Sequence, residues 1–161
     1  EFRRVLFRSN GGTDAFLPAR FPIWIWQTAD GAEYYGFPAS DGPAGGVKVA
    51  GHHGIVLSIC TPETIDRQVP PAEIDRMRVA LSTRLPALAG KCLATKTCLY
   101  TNAPDGHFLL DRHPQHRQVL IVSPCSGHGF KFVPVIGEIV ADLVTTNSTR
   151  HDIRLFRLDR F

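Results

Sequence analysis

Cys98, in Cys98-Leu99-Tyr100-Thr101, offers a thiol whose deprotonated form is a strong nucleophile. Ser126-Gly127-His128-Gly129-Phe130-Lys131 offers a glycine turn. Without a Cβ, its backbone can come close to a ligand, and its N–H groups suit an anionic ring or a pyrophosphate. Lys131 stands where helical spacing begins, so its ammonium adds to the partial positive charge of a helix N-terminus. That combination suits one carboxylate oxygen. Lys48 lies between Val47 and Val49 in a strand pattern, so alternation points it away from both, and His52 follows four residues later. One thiol, one glycine turn with an imidazole and one lysine make a place for a large anionic cofactor and a small carboxylate. Residue types alone leave the ordinary roles open: a packed strand cysteine, solvent-facing lysines, an exposed histidine at a helix start.

The elements that must carry these groups can be read from periodicity. Phe21-Pro22-Ile23-Trp24-Ile25-Trp26-Gln27 is an aromatic and β-branched strand. Asp30-Gly31 turns the chain, and Glu33-Tyr34-Tyr35-Gly36-Phe37 is its hairpin partner. A Gly/Pro loop over 41–46 leads to a third strand from Val47, which ends in Gly51-His52-His53-Gly54. Short connections imply an antiparallel sheet. Pro71 opens a helix with Ile74, Met77, Leu81 and Leu85 on one face, and Pro86 stops it. Short strands are expected at Thr97–Thr101, Phe108–Leu110 and Val119–Val122, with Pro104-Asp105-Gly106 turning between the first two. Phe132, Ile136, Ile139, Val140 and Leu143 mark a second amphipathic helix, which requires Pro134 to lie in its first turn. The tail from Asp152 alternates apolar and charged residues and reads as a docked extension.

The 161 residues suffice for one ordinary domain with a core. An apolar fraction of 43% and a charged fraction of 20% are those of a globular protein in water. No apolar run approaches the roughly 20 residues that span a bilayer. Cys60, Cys92, Cys98 and Cys125 form no CxxC pair and no disulfide framework, so reduced thiols in the cytoplasm are expected. His113-x-x-His116 is interrupted by Pro114 and lacks a third ligand, so no metal is assigned there. Residues 1–9, Glu-Phe-Arg-Arg-Val-Leu-Phe-Arg-Ser, read like the translation of a sequencing adapter, so the natural sequence is expected to begin near Asn10. They hold three of the arginines. Without them the formal net charge of +3 falls to 15 basic against 14 acidic side chains, and support for a nucleic-acid or membrane surface goes with it.

The stretch from Cys98 to Lys131 resembles the C-terminal part of the monomeric sarcosine oxidase family, which includes the N-methyltryptophan oxidases. These are FAD enzymes that oxidise secondary amino acids. The resemblance covers most of residues 20–161. It implies an α+β fold: an antiparallel substrate-domain sheet with a covering helix over 10–104, then C-terminal strands and a helix of an incomplete FAD-binding domain over 105–161. It also implies roles. Cys98 corresponds to the cysteine that forms a thioether with a ring methyl of FAD, and Tyr100 would lie beside the substrate. Gly127, His128 and Gly129 correspond to the turn that approaches the flavin. Lys131 corresponds to the lysine that binds the substrate carboxylate. Lys48 matches the lysine over the flavin face that promotes oxygen reduction, and His52 and Tyr35 match pocket residues.

The match has departures. The loop before Lys48 is longer than is usual in the family, Pro124-Cys125 precedes Ser126 where glycine and a bulky apolar residue are usual, and Gly106 replaces an acidic residue. No GxGxxG fingerprint occurs, and the further substrate-carboxylate arginine is absent. The expectation is therefore a C-terminal fragment of a longer oxidase that has lost its N-terminal half. Its partners would be a small amino acid and oxygen, and the isolated piece would bind FAD poorly. Two rival readings stand beside it. One is another FAD-dependent amino acid oxidase or dehydrogenase, acting on pipecolate, N-methyltryptophan or glycine. The other is a non-catalytic interaction module.

Overall fold

The computed structural model describes residues 2–7, 14–42, 44–52 and 59–161. The chain divides into two compact units, residues 1–99 and 100–161.

The first unit is built on a five-stranded antiparallel sheet: β1 (Phe2–Phe7), β2 (Trp24–Gln27), β3 (Glu33–Phe37), β4 (Val47–Gly51) and β5 (Cys92–Cys98), in the order β2-β3-β4-β1-β5. The expected hairpin forms: Trp24 pairs with Gly36 and Gln27 with Glu33, and Gly31 takes the positive φ that the turn requires. Gly36 is needed for a second reason, because a Cβ there would fall 2.3 Å from the Trp24 indole lying across it. Helix α1 (Pro71–Arg84) begins at Pro71 and runs out just before Pro86. It buries Met77 and Leu81 against Val47 and Val49, with Phe16, Ala39 and Leu88 completing the core. Trp24, Trp26 and Tyr34 close the rim of that core on the same face of the sheet.

β1 lies within the nine residues read above as foreign, and its backbone fills the place between β4 and β5. The strand expected at Thr97–Thr101 is displaced. β5 runs from Cys92 to Cys98 and pairs with β1, not with the strand after Pro104. A register irregularity near Cys92 breaks the alternation that would have marked it in the sequence.

The second unit holds a two-stranded antiparallel sheet, β6 (Leu109–Arg112) and β7 (Leu120–Ser123), and helix α2 (Val133–Thr145). Ile136, Ile139 and Leu143 pack on Phe108 and Leu110 as their spacing requires. Pro134 sits in the first turn of α2, where its missing N–H costs nothing. The tail docks as expected, through two 3-10 turns, Arg154–Phe156 and Leu158–Arg160. Ile153 and Phe156 join the core, and the Leu158 N–H donates to Asp111. Arg160 reaches Asp105 in a bidentate pair at 2.6 and 3.1 Å and donates to the Phe108 carbonyl.

Candidate functional site

In the first unit, alternation sorts the sheet into two faces. Val47 and Val49, fully buried, turn toward α1. Lys48 between them turns to the opposite face, as the strand pattern required. Its cross-strand partner on β3 is Phe37, and Tyr35 is two residues back on the same face. The Lys48 ammonium stands 4.3 Å from the centre of the Phe37 ring and 5.4 Å from that of Tyr35. Tyr35 and Phe37 meet edge to face at 6.0 Å, and His52 meets Tyr35 edge to face at 5.8 Å. Tyr35, Lys48 and His52, separated by up to 17 positions in the chain, thus form one cluster. Phe37 belongs to it and was not singled out in the sequence. Its period-two spacing from Tyr35 was the available signal. His53 lies outside the described residues.

Cys98 shares that face. Thr97 is buried, and its hydroxyl donates to the Arg67 carbonyl at 3.2 Å, which fixes the last turn of the β5 alternation. The ladder confirms the parity. Ala50 pairs with Arg4, and Arg4 with Lys96, so Lys48, Lys96 and Cys98 lie on one side. Two strand spacings across and four residues along place the Cα atoms of Lys48 and Cys98 roughly 16 Å apart. The half-buried Cys98 is a free thiol. Cys92, at the other end of β5, is sent to the other face by the irregularity between residues 92 and 94. It packs against the α1 core, and burial pushes its thiol pKa up, with a smaller opposing effect from Arg78. Cys92 is half-buried, as Cys98 is, and a thiol whose pKa is raised supplies less thiolate for attack.

Tyr100 does not continue the Cys98 strand. β5 ends at Cys98, and Tyr100 belongs to the second unit, where its ring covers Gly127. The strand expected at Thr97–Thr101 would have set Tyr100 on the same face as Cys98, and that placement is corrected. The chain leaves the ladder because Asn102-Ala103-Pro104 enters the turn closed by the Gly106 N–H on the Ala103 carbonyl.

The glycine turn of the second unit is held by Ser126, one of the least exposed side chains of the chain at 1%. Its N–H donates to the Thr101 carbonyl, its Oγ accepts from the Ala103 N–H at 3.1 Å, and the same hydroxyl donates to the His107 carbonyl at 2.9 Å. Ser126 takes a φ of +49°, which carries the chain into Gly127 at +78°. A Cβ at Gly127 would meet the Tyr100 ring at 2.7 Å, and one at Gly129 would overlap the Pro124 carbonyl oxygen. His128 is half-buried: its Nε2 lies 3.0 Å from the Gly106 carbonyl and its ring 4.8 Å from that of Phe108. Lys131 sits in the 3-10 turn Phe130–Phe132 immediately ahead of α2, exposed, as the helical spacing placed it. Phe130 beside it is 93% exposed, whereas the Phe132 ring packs on Phe108 at 5.5 Å.

Each unit, taken by itself, carries groups of the kind that the flavin cofactor implied by the resemblance would need. Cys98 supplies a free, half-buried thiol. In the turn, among the described residues, the backbone N–H groups of Gly127 and of buried Gly129 donate to no carbonyl, which leaves two donors for an anionic group. His113 and His116 stand with ring centres 4.9 Å apart, and among the described residues no group of three His, Cys, Asp or Glu side chains is arranged for a metal ion. Among the same residues, no helix is long and apolar enough to cross a membrane.

The family model described as FAD dependent oxidoreductase matches residues 6–143. The monomeric sarcosine oxidase of Streptomyces avermitilis is 49% identical over 151 residues, 93% of this chain and 39% of that protein. The N-methyl-L-tryptophan oxidase of Salmonella enteritidis is 36% identical over 88% of this chain and 37% of its own length. Among solved structures, fructosamine oxidase (Amadoriase II) from Aspergillus fumigatus superposes with a TM-score of 0.71 over 97% of this chain and 38% of the other, at 21% identity. The chain belongs to the FAD dependent oxidoreductase family. It spans less than two fifths of the length of these relatives.

Proposed function

We propose that this chain supplies the C-terminal portion of a flavin-dependent oxidase of secondary, N-methylated amino acids of the sarcosine type. The observation that carries the proposal is the convergence of Tyr35, Lys48 and His52 on one sheet face that Cys98 shares. When bound, FAD supplies the two-electron acceptor that turns the C–N bond into an imine, which water hydrolyses to a primary amino acid and an aldehyde, and the electrons pass to oxygen to give hydrogen peroxide. Cys98 tethers the cofactor through a thioether. The turn at Gly127, His128 and Gly129 offers N–H donors to its anionic parts. Lys131 anchors the substrate carboxylate by charge, aided by the N-terminus of α2. Tyr35 and His52 wall the pocket, and Tyr100 packs beside the substrate. Lys48 holds a fixed positive charge where oxygen is reduced, and such a charge stabilises developing anionic character most in a site shielded from water. Free thiols on all four cysteines accord with a cytoplasmic setting.

The test is a substrate profile of the protein expressed with the full coding sequence of its gene. Sarcosine should bleach the flavin absorbance and release one peroxide per turnover. Preference for pipecolate, N-methyltryptophan or glycine would move the assignment to the rival oxidase reading. A protein that retains no flavin would favour the interaction module.

A further inference from the structure

We propose that Phe37 is the positioning residue that fixes the ammonium of Lys48 over the sheet face, an inference that rests on the oxygen-side role given to Lys48 above. A lysine on a strand has four side-chain torsions, and its head can swing through several ångströms of solvent. Here three features restrict it. Val47 and Val49, both fully buried, lock the backbone on either side, so the base of the side chain leaves the sheet in one direction. Phe37 is the direct cross-strand partner of Lys48, and its ring centre lies 4.3 Å from Nζ, close enough for the negative face of the ring to attract the cation. Tyr35, at 5.4 Å, borders the ammonium from the next position on the same strand face and is itself braced by His52. The ring that lies nearer is the one without a hydroxyl. Phenylalanine attracts the ammonium through its ring face and offers no acceptor for its proton. An aliphatic residue at 37 would keep the strand and lose that attraction. Tyrosine would keep both.

The experiment is reductive methylation of the full chain with 13C-formaldehyde, followed by 13C–1H correlation spectra, with the Lys48 dimethylammonium resonance identified by its loss in Lys48→Arg. Methyl groups this close to an aromatic face take an upfield ring-current shift. The proposal predicts that shift in the wild-type chain, the loss of most of it in Phe37→Leu, where only the more distant Tyr35 ring remains, and its return in Phe37→Tyr. In the flavin-loaded protein, reoxidation of reduced flavin by oxygen should slow about tenfold in Phe37→Leu and recover in Phe37→Tyr. A Lys48 resonance at the position of ordinary exposed lysines in the wild-type chain would overturn the proposal, and that measurement decides the matter even if Phe37→Leu fails to fold. A ring-current shift of undiminished size in Phe37→Leu would overturn it as well. If the shift behaves as stated but Lys48→Met reoxidises normally, the positioning stands and the oxygen role of Lys48 falls.

Discussion

The hydroxyl of Ser126 joins two loops at once, donating to the His107 carbonyl at 2.9 Å while accepting from the Ala103 N–H at 3.1 Å. The glycine turn is therefore tied to the 100–108 segment by one buried oxygen. Ser126→Ala removes both bonds and leaves a part-buried donor and acceptor without their partner, which costs about 1 kcal/mol. Thermal or urea denaturation should show that loss, with hydrogen exchange at the Ala103 amide accelerating first.

The two glycines of the turn should differ sharply. At Gly129 an added Cβ overlaps backbone, the Pro124 carbonyl, which cannot move without breaking the turn. At Gly127 the obstacle is the Tyr100 ring, which can give way, and the remaining cost is the positive φ, about 1 kcal/mol. Gly129→Ala is expected to abolish the ordered turn. Gly127→Ala should fold with modestly reduced stability. The His128 imidazole resonances report both outcomes.

The tail should detach on the acid side. Hydrogen bonding to the Arg160 guanidinium holds the Asp105 carboxyl well below its usual 3.8. A depressed carboxylate stabilises the fold above its unfolded-state pKa, and that contribution fades as pH falls through the folded value. Undocking of the tail is therefore expected only below about pH 4. Asp105→Asn should remove this limb of the pH profile and loosen the tail at neutral pH, as read from the mobility of a label at residue 161.

Lys131 carries a prediction that separates binding from chemistry. If its ammonium anchors the substrate carboxylate, Lys131→Met should raise the KM for an N-methyl amino acid by about tenfold or more. An N-methyl amine without a carboxylate should then react equally well with both proteins. Equal loss for the two substrates would assign Lys131 to the cofactor or to folding.

How much of this was legible in the sequence depended on what each element answers to. The β2–β3 hairpin, α1 and α2 follow from period, turn chemistry and proline placement, all local properties, and all three were expected. The direction of Lys48 followed from simple alternation between two valines. β5 was misplaced because its one irregularity, near Cys92, erases the period that would have announced it. Tyr100 was set on the Cys98 strand by the same error, since nothing in Cys-Leu-Tyr-Thr says where a ladder stops. β1 shows the limit from another side. Ladder hydrogen bonds belong to the backbone, so a β-permissive segment such as Phe2–Phe7 can occupy a strand position whatever its origin. The clasp at Ser126 depends on partners many residues away that no spacing rule reaches, whereas Phe37 was marked by its spacing from Tyr35 and only its approach to Lys48 waited on the β3–β4 register.

The measurement that bears most directly on the central claim is the mass of the proteolytic peptide containing Cys98, taken from the flavin-loaded protein expressed with its full coding sequence. A thioether at Cys98 predicts a peptide heavier by one flavin adenine dinucleotide, yellow after denaturation, and lost in Cys98→Ser but retained in Cys92→Ser. An unmodified Cys98 peptide from a protein that has kept its flavin would contradict the tether.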